Sequence, residues 1–198
     1  KIKNALDAGI EIILLVLVRI IQKFVKDVNQ ILMVQARIEN LLSLKSTYIS
    51  IISLVTIDFL TKLLANNFLE SGVIVPMLSI LDLLLIFNSG IAFSLLDFNN
   101  SFISYGLSII GVVLIIYLHA MLRNETTKAN QFALILILSG ALGNILDRVM
   151  DGVVTDFLYF HIGDISFFIF NFADAFISIG AAIFFISELK KYFGSRAL

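Results

Sequence analysis

The stretch Phe102-Ile-Ser-Tyr-Gly-Leu-Ser-Ile-Ile-Gly-Val-Val-Leu-Ile-Ile-Tyr-Leu-His-Ala120 contains no charged residue. At 1.5 Å rise per residue, such a run is long enough to cross the ~30 Å hydrocarbon core of a bilayer as one helix. Three further stretches read the same way, roughly 46–66, 131–150 and 171–189. Composition agrees: of 198 residues, 59% are apolar and 15% charged, where a soluble domain carries about 25% charged residues. The sequence therefore predicts an all-α membrane protein of four transmembrane helices.

Charge asymmetry orients the helices. Lys45 precedes the first span, Arg123 and Lys128 separate the second and third, and Lys190, Lys191 and Arg196 follow the fourth. Segments 67–101 and 151–170 carry Glu70, Asp82, Asp97, Asp151, Asp156 and Asp164 but no Lys or Arg. The positive-inside rule then puts both ends of the four-span unit in the cytoplasm and both acidic segments outside. Segment 73–87 is apolar but broken by Pro76 and Asp82. It reads as short strands or a re-entrant piece at the outer surface, followed by the turn signal Asn88-Ser89-Gly90. Residues 1–44 read as a long amphipathic helix, either an extension of the native chain or a fused segment, because Arg19, Lys23, Lys26 and Asp27 make a spanning placement costly. Residues 45–198 form the four-helix domain, with 67–101 as an extracytoplasmic cradle.

The chemistry rests on acids beside apolar runs. A carboxylate at a bilayer is expected to face a partner, water or substrate. Asp156 in Val-Val-Thr-Asp-Phe lies on the segment joining the third and fourth spans, and Asp174 in Phe-Asn-Phe-Ala-Asp-Ala lies at the start of the fourth. A connecting loop folded back over the helix ends brings them together at the outer boundary. Two acids held close share one proton, which is the apparatus of aspartyl proteolysis. Asn144 and Arg148 are one helical turn apart, as are Asp58 and Lys62, which can pair. The chain has no cysteine and two histidines, His119 and His161. That leaves no thiolate chemistry and no His-Glu-x-x-His zinc motif, so no cofactor or metal is expected. A net charge of −1 without a basic block gives no reason to expect a nucleic-acid partner.

Five motifs, in order, resemble the set of the lipoprotein signal peptidase (signal peptidase II) family. They are Asp58-Phe-Leu-Thr-Lys62, Asn88-Ser-Gly-Ile-Ala-Phe-Ser94, Gly140-Ala-Leu-Gly-Asn144-Ile-Leu-Asp147-Arg148, Val154-Thr-Asp156-Phe and Phe170-Asn171-Phe-Ala-Asp174. The resemblance covers residues 46–192. It implies a bacterial inner-membrane aspartyl endopeptidase that removes the signal peptide from prolipoproteins before a diacylglyceryl-modified cysteine, at the periplasmic face, and that is blocked by globomycin. Membrane lipid is the other partner it implies. By the same resemblance Asp156 and Asp174 are the catalytic pair, Asn88, Gly90, Asn144, Arg148 and Asn171 line the substrate site, and Asp58 with Lys62 supports it. The chain departs from the family pattern at Phe59, Ser139, Phe168 and Ala175. These changes bear on substrate preference more than on activity.

Other readings compete residue by residue. Asp174 alone would serve as a cap on the fourth helix. Asp147 and Arg148 would make an interfacial ion pair, and His161 would be an exposed loop residue. The small residues of the third span read as helix packing. As whole functions, a small transporter with Asp58, Asp147 and Asp174 as relay carboxylates, or a non-catalytic scaffold, are the alternatives. The placement of the acids at the outer ends of the spans argues against a transporter.

Overall fold

The computed structural model describes residues 44–89 and 101–194, of which 101–105 by backbone alone, and the single positions 23, 26, 29, 30, 33 and 34. The chain divides into two units, Lys1–Thr47 and Tyr48–Leu198. In the first, the described positions are helical, and Lys23, Lys26, Asn29, Gln30, Met33 and Val34 are all exposed. The rest of the expected amphipathic helix lies outside the described residues.

The second unit holds almost all of a helix α1 (Leu44–Phe68) and three more of similar length. These are α2 (Ser101–Asn124), α3 (Lys128–Asp151) and α4 (Phe172–Gly194). All four contain segments long and apolar enough to span a membrane, and each expected span is found within a few residues of its predicted bounds. Large side chains such as Ile109, Ile110, Val113, Ile116 and Phe185 stand exposed on the helix surfaces, as lipid-facing positions should. The inward face closes on Ile51, Leu118, Leu122, Leu134 and Leu138, joining α1, α2 and α3. A side chain at Gly140 would run into the Ala173 carbonyl oxygen and Ile177, and one at Gly180 would meet the Ala133 carbonyl at 2.7 Å. These missing side chains let α3 and α4 approach backbone to backbone.

At one end of the helices lies a four-stranded antiparallel sheet in the order β1-β2-β3-β4. Its strands are β1 (Ile74–Val75), β2 (Leu81–Asn88), β3 (Val154–Ile162) and β4 (Ile165–Phe170). The expected short strands in 73–87 are present. The segment after α3 differs from expectation: Asp156 sits on a regular strand, not a loop. The reason is local. Val-Thr-Asp-Phe-Leu-Tyr-Phe-His-Ile is rich in β-branched and aromatic residues and is followed by the two-residue turn Gly163-Asp164, a hairpin signal. The sheet seats on α1 through Ala65, Leu85, Phe157 and Leu158.

Gly152 makes the turn from α3 into β3. It closes the helix in the left-handed region, φ 77°, and its N–H donates to the Arg148 carbonyl at 3.1 Å. This conformation is cheap for glycine and costly for other residues. It sends β3 straight back over the end of α3, which places Thr155 and Asp156 above Asn144 and Asp147. At the far end of the helices, buried Asn130 donates to Glu125 at 3.1 Å and to Glu188 at 2.7 Å, tying the α2–α3 turn to α4. Glu125 also accepts the Thr126 and Thr127 N–H groups; the Thr127 bond foremost, and then that of Asn130, brings its carboxyl down to about 2.

Candidate active site

A cavity of about 730 Å³ opens where the sheet meets α3 and α4. Asn88, Asn144, Arg148, Asp156 and Asp174 line its polar side, with Leu107, Phe168, Phe170 and Ile179 on the apolar side. Five of the seven residues singled out from the sequence thus face one space. Asn171 stands directly behind it, and Gly90 lies outside the described residues.

Each side chain is placed by its element. Asn88 and Asp156 are diagonal neighbours on one face of the β2–β3 pair, where Ile86 faces Asp156 and Asn88 faces Val154. Asn88 Nδ2 donates to Asp156 Oδ2 at 3.1 Å. Asn171 caps α4: its Oδ1 accepts the Asp174 N–H at 2.9 Å, and its own N–H points back at Asp174 Oδ2 at 3.4 Å. This reciprocal arrangement is a capping box, and it holds the Asp174 carboxylate in the first turn, where the helix dipole favours negative charge. The capping reading of Asp174 and the active-site reading therefore describe the same geometry.

Two asparagines connect the acids. Asn171 Nδ2 donates to Asp156 Oδ1 at 2.7 Å, and is also within hydrogen-bond reach of Asn144 Oδ1 at 3.1 Å and the Thr155 carbonyl at 3.3 Å. Asn144 Nδ2 donates to Asp174 Oδ1 at 2.8 Å. Asp156 is 4% exposed. Burial pushes its carboxyl up to about 6, reinforced by the charge of Asp174 and opposed by the Asn88 and Asn171 hydrogen bonds and by Lys62. The Arg148 charge acts on Asp174, Asp156 and Asp147, and its buried Nε has no hydrogen-bond partner among the described residues.

Beneath this layer Lys62, 2% exposed, bridges Asp58 Oδ2 at 2.8 Å and Asp147 Oδ2 at 2.9 Å. The expected Asp58–Lys62 pair is present. Asp147 pairs with Lys62, where an interfacial pair with Arg148 was the competing expectation. Asp58 Oδ1 accepts the Ala173 N–H at 2.8 Å, and Asp147 Oδ2 accepts the Thr155 N–H at 3.0 Å. The two supporting acids thus pin the backbone beside each cavity-lining aspartate. Room for Asp58 comes from Gly143, where a Cβ would lie 2.5 Å from Asp58 Oδ2.

His161 corrects its expectation as an exposed loop residue. It lies on β3 with Nε2 3.0 Å from Asp82 Oδ2, while Asp82 Oδ1 accepts the Met77 N–H at 3.0 Å. The two side chains meet on the outer part of the sheet, away from the cavity-lining residues.

Four spans with a polar cavity at the sheet-covered end define a multi-pass membrane protein. Comparison with known proteins makes the class specific. A family model described as signal peptidase (SPase) II matches residues 50–190. The lipoprotein signal peptidase of Polynucleobacter necessarius subsp. necessarius (strain STIR1) is 40% identical over 142 residues, covering 71% of this chain and 87% of that protein. The one from Francisella tularensis subsp. novicida (strain U112) is 41% identical over 155 residues, covering 76% and 96%. Among solved structures, one titled as a bacterial membrane enzyme structure by the in meso method at 2.3 Å resolution superposes with a TM-score of 0.67 at 27% identity, covering 74% of this chain and 89% of that one. The chain belongs to the signal peptidase II family, and is a membrane-embedded protease.

Proposed function

We propose that this protein is an aspartyl endopeptidase that removes signal peptides from diacylglyceryl-modified prolipoproteins. One observation carries the reading: two acids distant in sequence, Asp156 and Asp174, line one cavity and are cross-linked by the amides of Asn144 and Asn171. Among the described residues there is no cluster of three or more His, Cys, Asp or Glu able to hold a metal.

In this mechanism Asp174, on the helix N-terminus and receiving the Asn144 N–H, is the ionised partner and takes a proton from the attacking water. Asp156, raised by burial, carries the shared proton, polarises the scissile carbonyl and then protonates the leaving amine. Arg148 supports the negative charge of the pair and of the tetrahedral intermediate. The acyl chains of the modified cysteine start in lipid, so their burial between helices yields little free energy. Their role is to hold the cleavage site at the depth of the cavity. The four-span domain is residues 45–198, with the sheet as its periplasmic cradle and Gly90 and Asn88 on the substrate side. The protein sits in the bacterial inner membrane, with both ends of the four-span unit cytoplasmic.

The test is cleavage of a prolipoprotein in vesicles, with and without the diacylglyceryl group. Cleavage of the modified precursor only, insensitive to chelators and blocked by globomycin, is expected. Equal cleavage of both precursors, or loss of activity with a chelator, would contradict the reading.

A further inference from the structure

The polar cluster beneath the cavity has a direction as well as a composition. An ammonium has three N–H donors and no acceptor. Around Lys62 Nζ stand Asp58 Oδ2 at 2.8 Å, Asp147 Oδ2 at 2.9 Å and Asn144 Oδ1 at 3.1 Å. All three donors are used, and the Asn144 oxygen is thereby fixed toward the lysine. Its nitrogen must point the other way, at Asp174 Oδ1, 2.8 Å away. A second, independent anchor fixes Asn171: its oxygen accepts the Asp174 backbone N–H, so its nitrogen faces Asp156 and Asn144. Without the lysine, the Asn144 oxygen would be held by the Asn171 nitrogen alone.

We infer that Lys62 is a positioning residue: it sets the polarity of the Asn144 amide and so keeps a hydrogen-bond donor on Asp174. The inference rests on the two-aspartate reading of the cavity and adds the device that sets the state of the pair. A donor on Asp174 favours its ionised form, the form that accepts a proton from water. With Lys62 removed, the Asn144 oxygen keeps only the Asn171 Nδ2 donor at 3.1 Å, and turning the amide over toward Asp174 then takes the donor off that carboxylate. The other charges around the pair are Arg148, acting on Asp174, Asp156 and Asp147, and Asp58 and Asp147, both paired to Lys62. Lys62 also acts directly on Asp156 through its charge, and the test must separate that effect.

The discriminating variant is Asp58→Asn with Lys62→Met, which removes the ammonium while leaving the net charge of the Asp58–Lys62–Asp147 cluster unchanged. The acid-side fall of kcat/KM is expected about one pH unit higher than in the wild type. The same shift is expected in the pH-dependent infrared carboxyl band that disappears in Asp174→Asn, a reading that needs no turnover. In an Asn144→Ala background the double change should move that band no further. A wild-type profile in the double variant, or a shift that persists without Asn144, would overturn the inference. Should the double variant not accumulate in the membrane, Lys62→Arg decides. A guanidinium also only donates, so the wild-type acid limb is expected, and a displaced limb would overturn the inference. A merely structural lysine would lower the amount of folded enzyme and leave these profiles alone. Failure of the two-aspartate reading is distinguishable, since it would show as turnover surviving in Asp174→Asn.

Discussion

At the scale of single residues, the proposed mechanism leans most on Asp156. Its carboxyl is raised to about 6 by burial, against about 4 in water. The sign is that of a buried acid. Its contribution to stability is fully present below the ordinary carboxylate range and is lost as pH rises through about 6, while its proton is retained to about that pH. The Asn88 hydrogen bond opposes the shift, so Asn88→Ala should move the basic limb of the kcat/KM profile upward by several tenths of a pH unit. An unmoved or lowered basic limb in a pH–rate measurement would speak against Asp156 as the proton carrier. Asn171 serves both acids and the helix cap. Asn171→Ala should therefore cost about 1 kcal/mol of stability through the lost cap and a further loss of turnover of about a hundredfold. Thermal unfolding in detergent and a cleavage assay measure the two separately.

The elements matter because the polar side of the cavity is assembled from four of them, β2, α3, β3 and α4, with α1 beneath, and their close approaches leave little slack. Gly143 on α3 is where α1 presents Asp58, and a methyl group there would fall 2.5 Å from Asp58 Oδ2 and 3.3 Å from the Ala173 Cβ. Gly143→Ala should destabilise the protein by about 1–3 kcal/mol, the usual cost of overpacking a fitted interior. It should also reduce turnover, because Asp58 holds the Ala173 N–H next to Asp174. An unchanged melting temperature would show that α1 and α3 are not packed as described. The spans were legible because a bilayer demands long apolar runs, and nothing in 102–120 competes with that demand. The hairpin of β3 and β4 was less legible. Its signal was there in Val154–Ile162 and Gly163-Asp164, but acids in a short connecting segment suggested a loop. The β2–β3 register that brings Asn88 to Asp156 depends on long-range pairing, which no local pattern encodes. The same holds for Asp147, whose neighbour Arg148 made a local pair attractive while its actual partner, Lys62, comes from another helix.

For the whole molecule, the proposed sidedness rests on the charge asymmetry of the connecting segments. The chain has no cysteine, so single cysteines report topology without background. Asp164→Cys, on the β3–β4 turn, should react with an impermeant thiol reagent in intact spheroplasts, whereas Glu125→Cys, on the α2–α3 turn, should react only after permeabilisation. The reverse pattern would invert the protein in the membrane and put the cavity on the cytoplasmic side. The site itself was legible to the extent that its residues carry charge or amides inside apolar runs, where such groups are rare. Asp156, Asp174, Asn88, Asn144 and Arg148 all reach one cavity. What sequence could not supply was the order of hydrogen bonding behind them, because the direction of an amide is set by neighbours from other elements.

The proposed reaction requires Asp156 and Asp174 to act on one peptide bond. The most direct measurement is turnover of a diacylglyceryl-modified prolipoprotein by Asp156→Asn and Asp174→Asn in membranes, with the amount of folded protein measured alongside. Each variant is expected to accumulate folded and to show no detectable cleavage. Cleavage at the wild-type rate by either one would contradict the account.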